Sequence, residues 1–274
     1  MKLGMINGWD DASISEVREK GLSHVEFCMN TKWDGIDLLK EAPAIAERLK
    51  NHGVSCGAVG RWGEGRVDDD GKIIEVGLTH DKHIIDVAAT IGAPVFNTGC
   101  NVAKHLSFEE NLEASMAYIA KLVEYATAKG VKIALYNCGW ANFTYDARTW
   151  VPLMKEFPSI GIKYDPSHSI RRGSDYLAEM RDFAKHFYHF HIKGTMDIAG
   201  VPYDDPPAGM DDIKWGPVFN LLYTNGYNGM VSLEPHSGRW SDAMDQWGVD
   251  FSIRYISQFI MPEDYVAKKQ LYRP

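Results

Sequence analysis

Tyr164-Asp165-Pro166-Ser167-His168 puts a carboxylate and an imidazole three residues apart, directly after the apolar run Ile160-Gly161-Ile162. A short β-rich run that delivers a ligand-type side chain at its far end suits a strand of a parallel barrel, where catalytic residues sit at the carboxyl ends of the strands. Two later stretches repeat the design: Phe187-Tyr188-His189-Phe190-His191-Ile192-Lys193 and Gly229-Met230-Val231-Ser232-Leu233-Glu234-Pro235-His236. Asp, His and Glu delivered by three successive strands point to a metal site.

Working outward from this stretch, apolar patterning predicts earlier strands at Lys2 to Asn7, Ser23 to Cys28, Val54 to Val59, Pro94 to Thr98 and Val131 to Tyr136. Helices are predicted from Ser13, and at about Ala42 to Asn51, Leu78 to Ile91, Phe108 to Lys129, Asp146 to Phe157, Ser174 to Lys185, Trp215 to Asn225 and Asp245 to Ile260. In the helix at Phe108, the residues Leu112, Met116, Ile119 and Val123 are expected to share one side. Ala267 to Pro274 reads as a tail. Eight strand-helix alternations without a break in composition indicate an α/β chain with one (β/α)8 TIM barrel spanning 1-274. A doubly wound open sheet would need a nucleotide-binding turn after the first strand, and Asn7-Gly8-Trp9-Asp10 is not one.

The barrel reading puts Glu26, Arg61, Asn97, Tyr136, Asp165, His191 and Glu234 at strand ends. Two loops are long enough to cover a site: the glycine-rich Gly60 to Gly71, which includes Glu64, and Gly194 to Gly209. The polar loop from Asn30 to Asp34 follows the second strand.

The net charge of −8 and a pI of about 5.7 argue against a nucleic-acid groove. No run approaches the roughly 18 apolar residues of a membrane span, and Met1-Lys2-Leu3-Gly4-Met5 leads into a strand pattern rather than a signal peptide, so a cytoplasmic location is expected. Cys28, Cys56, Cys100 and Cys138 lack the CxxC spacing of a zinc finger and read as buried thiols near strand ends.

Taken together, Val25-Glu26-Phe27, Tyr164-Asp165-Pro166-Ser167-His168, Phe190-His191-Ile192-Lys193, Asp212-Ile213-Lys214-Trp215 and Leu233-Glu234-Pro235-His236 give the chain its likeness to a known family. In their order and spacing it resembles the xylose-isomerase-like barrels, the sugar (phosphate) isomerases and epimerases related to D-tagatose 3-epimerase. The resemblance implies one divalent ion, Mn, Mg, Co or Zn, held by Asp165, His191 and Glu234, and it places His168 against substrate oxygens. It also implies a second glutamate on the fifth strand. Ile133-Ala134-Leu135-Tyr136-Asn137 has Tyr136 there instead.

With one ligand and one base replaced, a three-ligand site completed by water remains reasonable, whereas symmetrical two-glutamate epimerisation does not. A phenol titrates near 10, against about 4.3 for glutamate, so Tyr136 suits proton or hydrogen-bond donation. Glu234 is the expected base; its partner could be Tyr136, His168, Lys193 or His236. Taken singly, Asp165 could also simply cap a loop. Arg61, Trp62 and Trp140 on the mouth loops, with His236, are expected substrate contacts: indole faces suit sugar C–H surfaces, and arginine suits a carboxylate or phosphate.

The expected reaction is metal-dependent isomerisation or epimerisation of a sugar or keto-sugar through an enediolate. The alternatives are a metal-dependent lyase or dehydratase acting on a keto-sugar or inositol-like substrate, and a sugar-binding homologue without catalysis. The expected partner is a small-molecule carbohydrate, with no nucleic acid and no membrane, and association into a homo-oligomer is compatible with this reading.

Overall fold

In a computed structural model describing residues 1–30, 35–63, 65–262 and 265, eight parallel strands close into a barrel. They are β1 (Lys2–Ile6), β2 (His24–Cys28), β3 (Ser55–Gly60), β4 (Val95–Thr98), β5 (Lys132–Tyr136), β6 (Gly161–Tyr164), β7 (Phe187–Ile192) and, after a small hairpin, β10 (Met230–Leu233). β10 pairs with both β7 and β1, which completes the ring. The intervening helices are α1 (Asp11–Glu19), α2 (Gly35–His52), α3 (Glu75–Ile91), α4 (Phe108–Lys129), α5 (Ala147–Glu156), α6 (Pro166–Arg171), α7 (Tyr176–Phe183), α8 (Trp215–Thr224) and α9 (Asp242–Ser257). The predicted loop Asn30 to Asp34 beyond Asn30, Glu64 and the tail Ala267 to Pro274 lie outside the described residues.

Local chemistry sets the element ends. Ser107 and Glu110 form a reciprocal capping box on α4, and Gly130 closes the helix at φ 72°, a left-handed conformation that glycine adopts without strain. The buried side of α4 is Asn111, Ala114, Ser115, Tyr118, Ile119, Leu122 and Ala126. The expected stripe is therefore turned: Ile119 is central, while Leu112, Met116 and Val123 are only partly buried. The polar members made this face hard to recognise. Asn111, for instance, is buried because its amide donates to the carbonyls of Ala103, Leu106 and Ser107.

The region from Gly194 to Gly209, read from sequence as a loop, contains an antiparallel hairpin, β8 (Met196–Ile198) and β9 (Val201–Asp204). Arg171 ties it down, bonding Asp197 at 2.8 Å, Asp205 at 2.7 Å and the Asp204 carbonyl at 3.1 Å. All four cysteines are free. Among the described residues, no helix is long and apolar enough to cross a membrane.

Candidate active site

The register of the barrel brings the site together. Lys163 on β6 stands opposite Tyr136 on β5, and His191 on β7 stands opposite Ser232 on β10. Alternation along a strand sends residues two apart to the same side, so Lys163 and Asp165 share a face, as do His189, His191 and Lys193.

Asp165 has two roles, one for each oxygen. Oδ1 accepts from Ser167 N at 2.9 Å and caps α6, with Pro166 in the first turn. The backbone of Asp165 is clamped by Asn137, which accepts from its N–H at 3.0 Å and donates to its carbonyl at 2.8 Å. Oδ2 is left buried without a hydrogen-bond partner. Around it stand His168 Nε2 and Lys193 Nζ, both at 3.5 Å, and Lys163 Nζ at 3.9 Å. These distances exceed those of good hydrogen bonds. Burial would raise the Asp165 carboxyl, but Lys193, His168 and Lys163 hold it below the usual range.

His191 joins two carboxylates. Its Nε2 lies 2.8 Å from Glu26 Oε2 and its Nδ1 lies 2.9 Å from Glu234 Oε2. Burial would lower the imidazole, and the two carboxylates more than reverse this, so its affinity for a proton is raised. Glu26 also accepts from His189 Nε2 at 2.8 Å and from Asn97 Nδ2 at 3.0 Å. The ligand-type atoms of Asp165, His191 and Glu234 lie within 4.8 Å of one another. An O, N, O donor set that includes an orphaned buried carboxylate oxygen, with the histidine oriented by a further carboxylate, fits a divalent ion.

Above these groups opens a cavity of about 530 Å³. Of the residues expected to contact substrate or move protons, Trp62, Trp140, His168, Lys193, Glu234 and His236 line it. Lys193 Nζ lies 3.2 Å from His168 Nε2, so the ammonium donates and Nε2 accepts. Burial, with the Lys193 and Lys163 charges adding and Asp165 opposing, pulls the His168 pKa down to about 3. Burial would also lower the Lys193 pKa, but Asp165 and Glu234 raise it. His236 pairs with Asp205 at 3.2 Å. Gly60, at the end of β3, and Gly63 in the loop after it seat the two indoles: a Cβ at Gly60 would meet the Trp62 ring at 2.0 Å, and one at Gly63 would meet the Trp140 ring at 2.2 Å.

Two expected residues are not brought to the cavity. Arg61 is buried at the side, bonded to Asp81 at 2.7 Å and to the Gly77 carbonyl at 3.3 Å. Arg66 and Tyr118 share the same carboxylate. Asp81, on α3, gave no sequence cue to this pairing, and it turns Arg61 from an expected substrate contact into a member of a buried ion cluster. Tyr136 is fully buried, with its ring 5.8 Å from that of Trp62 and its phenol end against Gly99, where a Cβ would come within 2.9 Å. Burial raises its pKa. Sequence reasoning missed Lys163, His189 and Asn137 as members of the site, and Glu26 as more than a strand-end residue. Counting back two residues along β6 from Asp165 would have found Lys163.

Residues 14–254 match the family model described as xylose isomerase-like TIM barrel. The chain is 28% identical to the uncharacterized protein YfiH of Bacillus subtilis over 144 residues, which is 44% of this chain and 46% of that relative, so the match spans about half of each. Solved structures with the same fold include a D-psicose 3-epimerase with D-tagatose from Clostridium cellulolyticum H10, at 14% identity and a TM-score of 0.75, covering 96% of this chain and 100% of that one. Another is the IolI protein with a bound zinc atom, at 17% identity and a TM-score of 0.73, covering 96% and 100%.

Proposed function

The chain belongs to the xylose isomerase-like TIM barrel family, and from that premise we propose that it is an enzyme that isomerises or epimerises a sugar or keto-sugar by proton transfer, assisted by a divalent metal ion. The observation that carries the proposal is the convergence of Asp165, His191 and Glu234 beneath the mouth cavity, with Asp165 Oδ2 buried and unpartnered. These three residues would hold the ion. When bound, it supplies Lewis-acid polarisation of a substrate oxygen. The zinc of the IolI structure and the D-tagatose of the epimerase structure support this reading by analogy of fold.

The chain's own groups do the remaining work. Glu234, 24% exposed at the cavity wall, is kept ionised by Lys193 and His191 against the effect of burial, so it is ready to accept a carbon-bound proton. Neutral His168, accepting from Lys193, is the best-placed second group for moving a proton among the candidates, because Tyr136 does not line the cavity and His236, which does, is largely exposed and paired with Asp205. Trp62 and Trp140 offer apolar faces to a sugar ring or chain.

Glu234 is also the one carboxylate among the described residues lining the cavity. That favours a second reading, a lyase or dehydratase that needs a single base. Deuterium incorporation from D2O into a panel of keto-sugars, with and without Mn²⁺, tests the reading. Exchange that depends on the metal and is lost in Glu234→Gln is the expected result. No exchange into any sugar would sink proton transfer as the activity, and eliminated products with exchange would favour the lyase.

A further inference from the structure

Lys163 is buried in the barrel mouth, with 1% of its side chain exposed, yet it lines the cavity. Its ammonium has three donors and, among the described residues, no hydrogen bond; its nearest counter-charge is Asp165 Oδ2 at 3.9 Å. An ammonium carried on a buried stem to a cavity wall, with no protein acceptor there, is expected where a ligand completes it. The other cations lining the cavity have acceptors. Arg171 is tied to Asp197 and Asp205, Arg172 to Glu179 and the Asn137 carbonyl, and Lys193 to His168 Nε2.

Tyr136, the register partner of Lys163 on β5, turns its phenol end to Gly99 and does not fill the gap. The charge of Lys163 acts on Asp165, Glu234, His168 and His191 alike, which locates the ammonium among the groups assigned to the reaction.

We propose that Lys163 is a catalytic residue whose ammonium donates to the substrate oxygen on which negative charge collects during proton transfer. The inference rests on the carbon-acid reading above. In that step the C–H bond breaks and its proton passes to Glu234. The electron pair forms a C=C bond, and the carbonyl π pair moves onto oxygen as an enediolate oxyanion. Lys163 meets that oxyanion with a charge-assisted hydrogen bond placed in advance, the arrangement that stabilises a transition state more than a ground state. The ammonium keeps its proton throughout.

Oxalate, a planar dianion shaped like an enediolate, is the probe. Its affinity is measured by calorimetry on the full chain, loaded with Mn²⁺ and separately in EDTA, for the unmodified protein, Lys163→Met and Lys163→Gln. Binding to the Mn²⁺-loaded unmodified chain that weakens at least about tenfold in both variants is expected, with melting temperatures equal to or above that of the parent because a buried charge has been removed. Unchanged oxalate affinity in either folded variant overturns the proposal, as does an unmodified Mn²⁺-loaded chain that does not bind oxalate. Variants that melt lower and bind oxalate as tightly as the parent would assign Lys163 a structural role instead. The deuterium experiment fails or succeeds independently of these measurements, so a failure of the carbon-acid reading is distinguishable from a failure of the Lys163 assignment.

Discussion

At Asp165 a cap and a candidate ligand are the same residue, with Oδ1 closing α6 and Oδ2 facing the cations of the site. The two roles separate under mutation. Asp165→Asn keeps an oxygen for Ser167 N and should cost less than about 1 kcal/mol in urea unfolding, while Asp165→Ala adds the loss of a cap, typically about 1 kcal/mol. Both variants should weaken Mn²⁺ binding at least about tenfold in chelator competition, since each removes a charged donor. Full affinity in Asp165→Asn would reduce the residue to a cap. Tyr136 provides the contrasting case. Its hydroxyl is buried with no well-formed hydrogen bond among the described residues, only an approach to the Gly63 backbone, so Tyr136→Phe should not lower stability by more than about 1 kcal/mol and should leave deuterium exchange intact. Loss of exchange in that variant would restore the phenol as the proton donor. The strand-end pattern, read with the family resemblance, pointed to Asp165, His191 and Glu234, whose donor atoms the fold brings within 4.8 Å of one another, because a ligand type at a strand end is a one-dimensional pattern. The same pattern passed over Lys163, although the two-residue alternation that gives it the face of β6 shared with Asp165 is also legible in sequence; what is not legible is that its strand neighbour Tyr136 turns its phenol end to Gly99.

The elements divide in a similar way. The barrel strands were legible because each is a short apolar run whose end coincides with a polar residue, and β5 and β7 fall within one residue of the expected limits. The hairpin β8–β9 was not legible. Val201-Pro202-Tyr203-Asp204 contains a proline and is largely exposed, so neither alternation nor burial marks it, and what fixes it is Arg171 reaching across from α6. The connection from β9 to α8 carries a pH-sensitive group. Asp211 accepts from Gly209 N at 2.9 Å and from Trp215 Nε1 at 3.0 Å, but its other oxygen is buried without a partner. Burial, against those two bonds, pushes its pKa up to about 6 from an ordinary 3.8. A carboxyl raised on folding contributes stability that is full below the unfolded pKa and is lost as pH rises through about 6. Asp211→Asn should therefore stabilise the protein by up to roughly 3 kcal/mol at about pH 8 and by much less at about pH 4, read as denaturant midpoints at the two pH values. Equal effects at both would show that Asp211 is not protonated in the native state across that range.

Across the whole molecule, the barrel interior is joined by one carboxylate. Glu26 on β2 binds His189 and His191 on β7 and Asn97 on β4, and through His191 it reaches Glu234 at the end of β10. Burial would push its carboxyl up, and the two imidazoles hold it well below the usual range, so Glu26 stays ionised where the fold needs an acceptor. This network links strands far apart in sequence, which explains why Glu26 could be placed at a strand end from the sequence but not assigned its partners. Removing the acceptor should be costly. Glu26→Ala leaves two buried imidazole N–H groups and an amide without a partner, and it should lower stability by about 3–5 kcal/mol in urea unfolding. Glu26→Gln can keep an acceptor oxygen at the Oε2 position, where both imidazoles donate, and turn its NH2 toward Asn97, whose unpartnered Oδ1 can turn to accept it, so it should lose less stability. It should nevertheless weaken Mn²⁺ binding about 10–100-fold, because His191 would no longer be oriented by a carboxylate on the side away from the ion. The split between the two variants is the informative result. If Glu26→Gln kept full Mn²⁺ affinity while Glu26→Ala unfolded the chain, Glu26 would serve the barrel alone; a loss of affinity in a well-folded Glu26→Gln protein would show that the carboxylate that joins β2, β4 and β7 also sets the chemistry at the mouth.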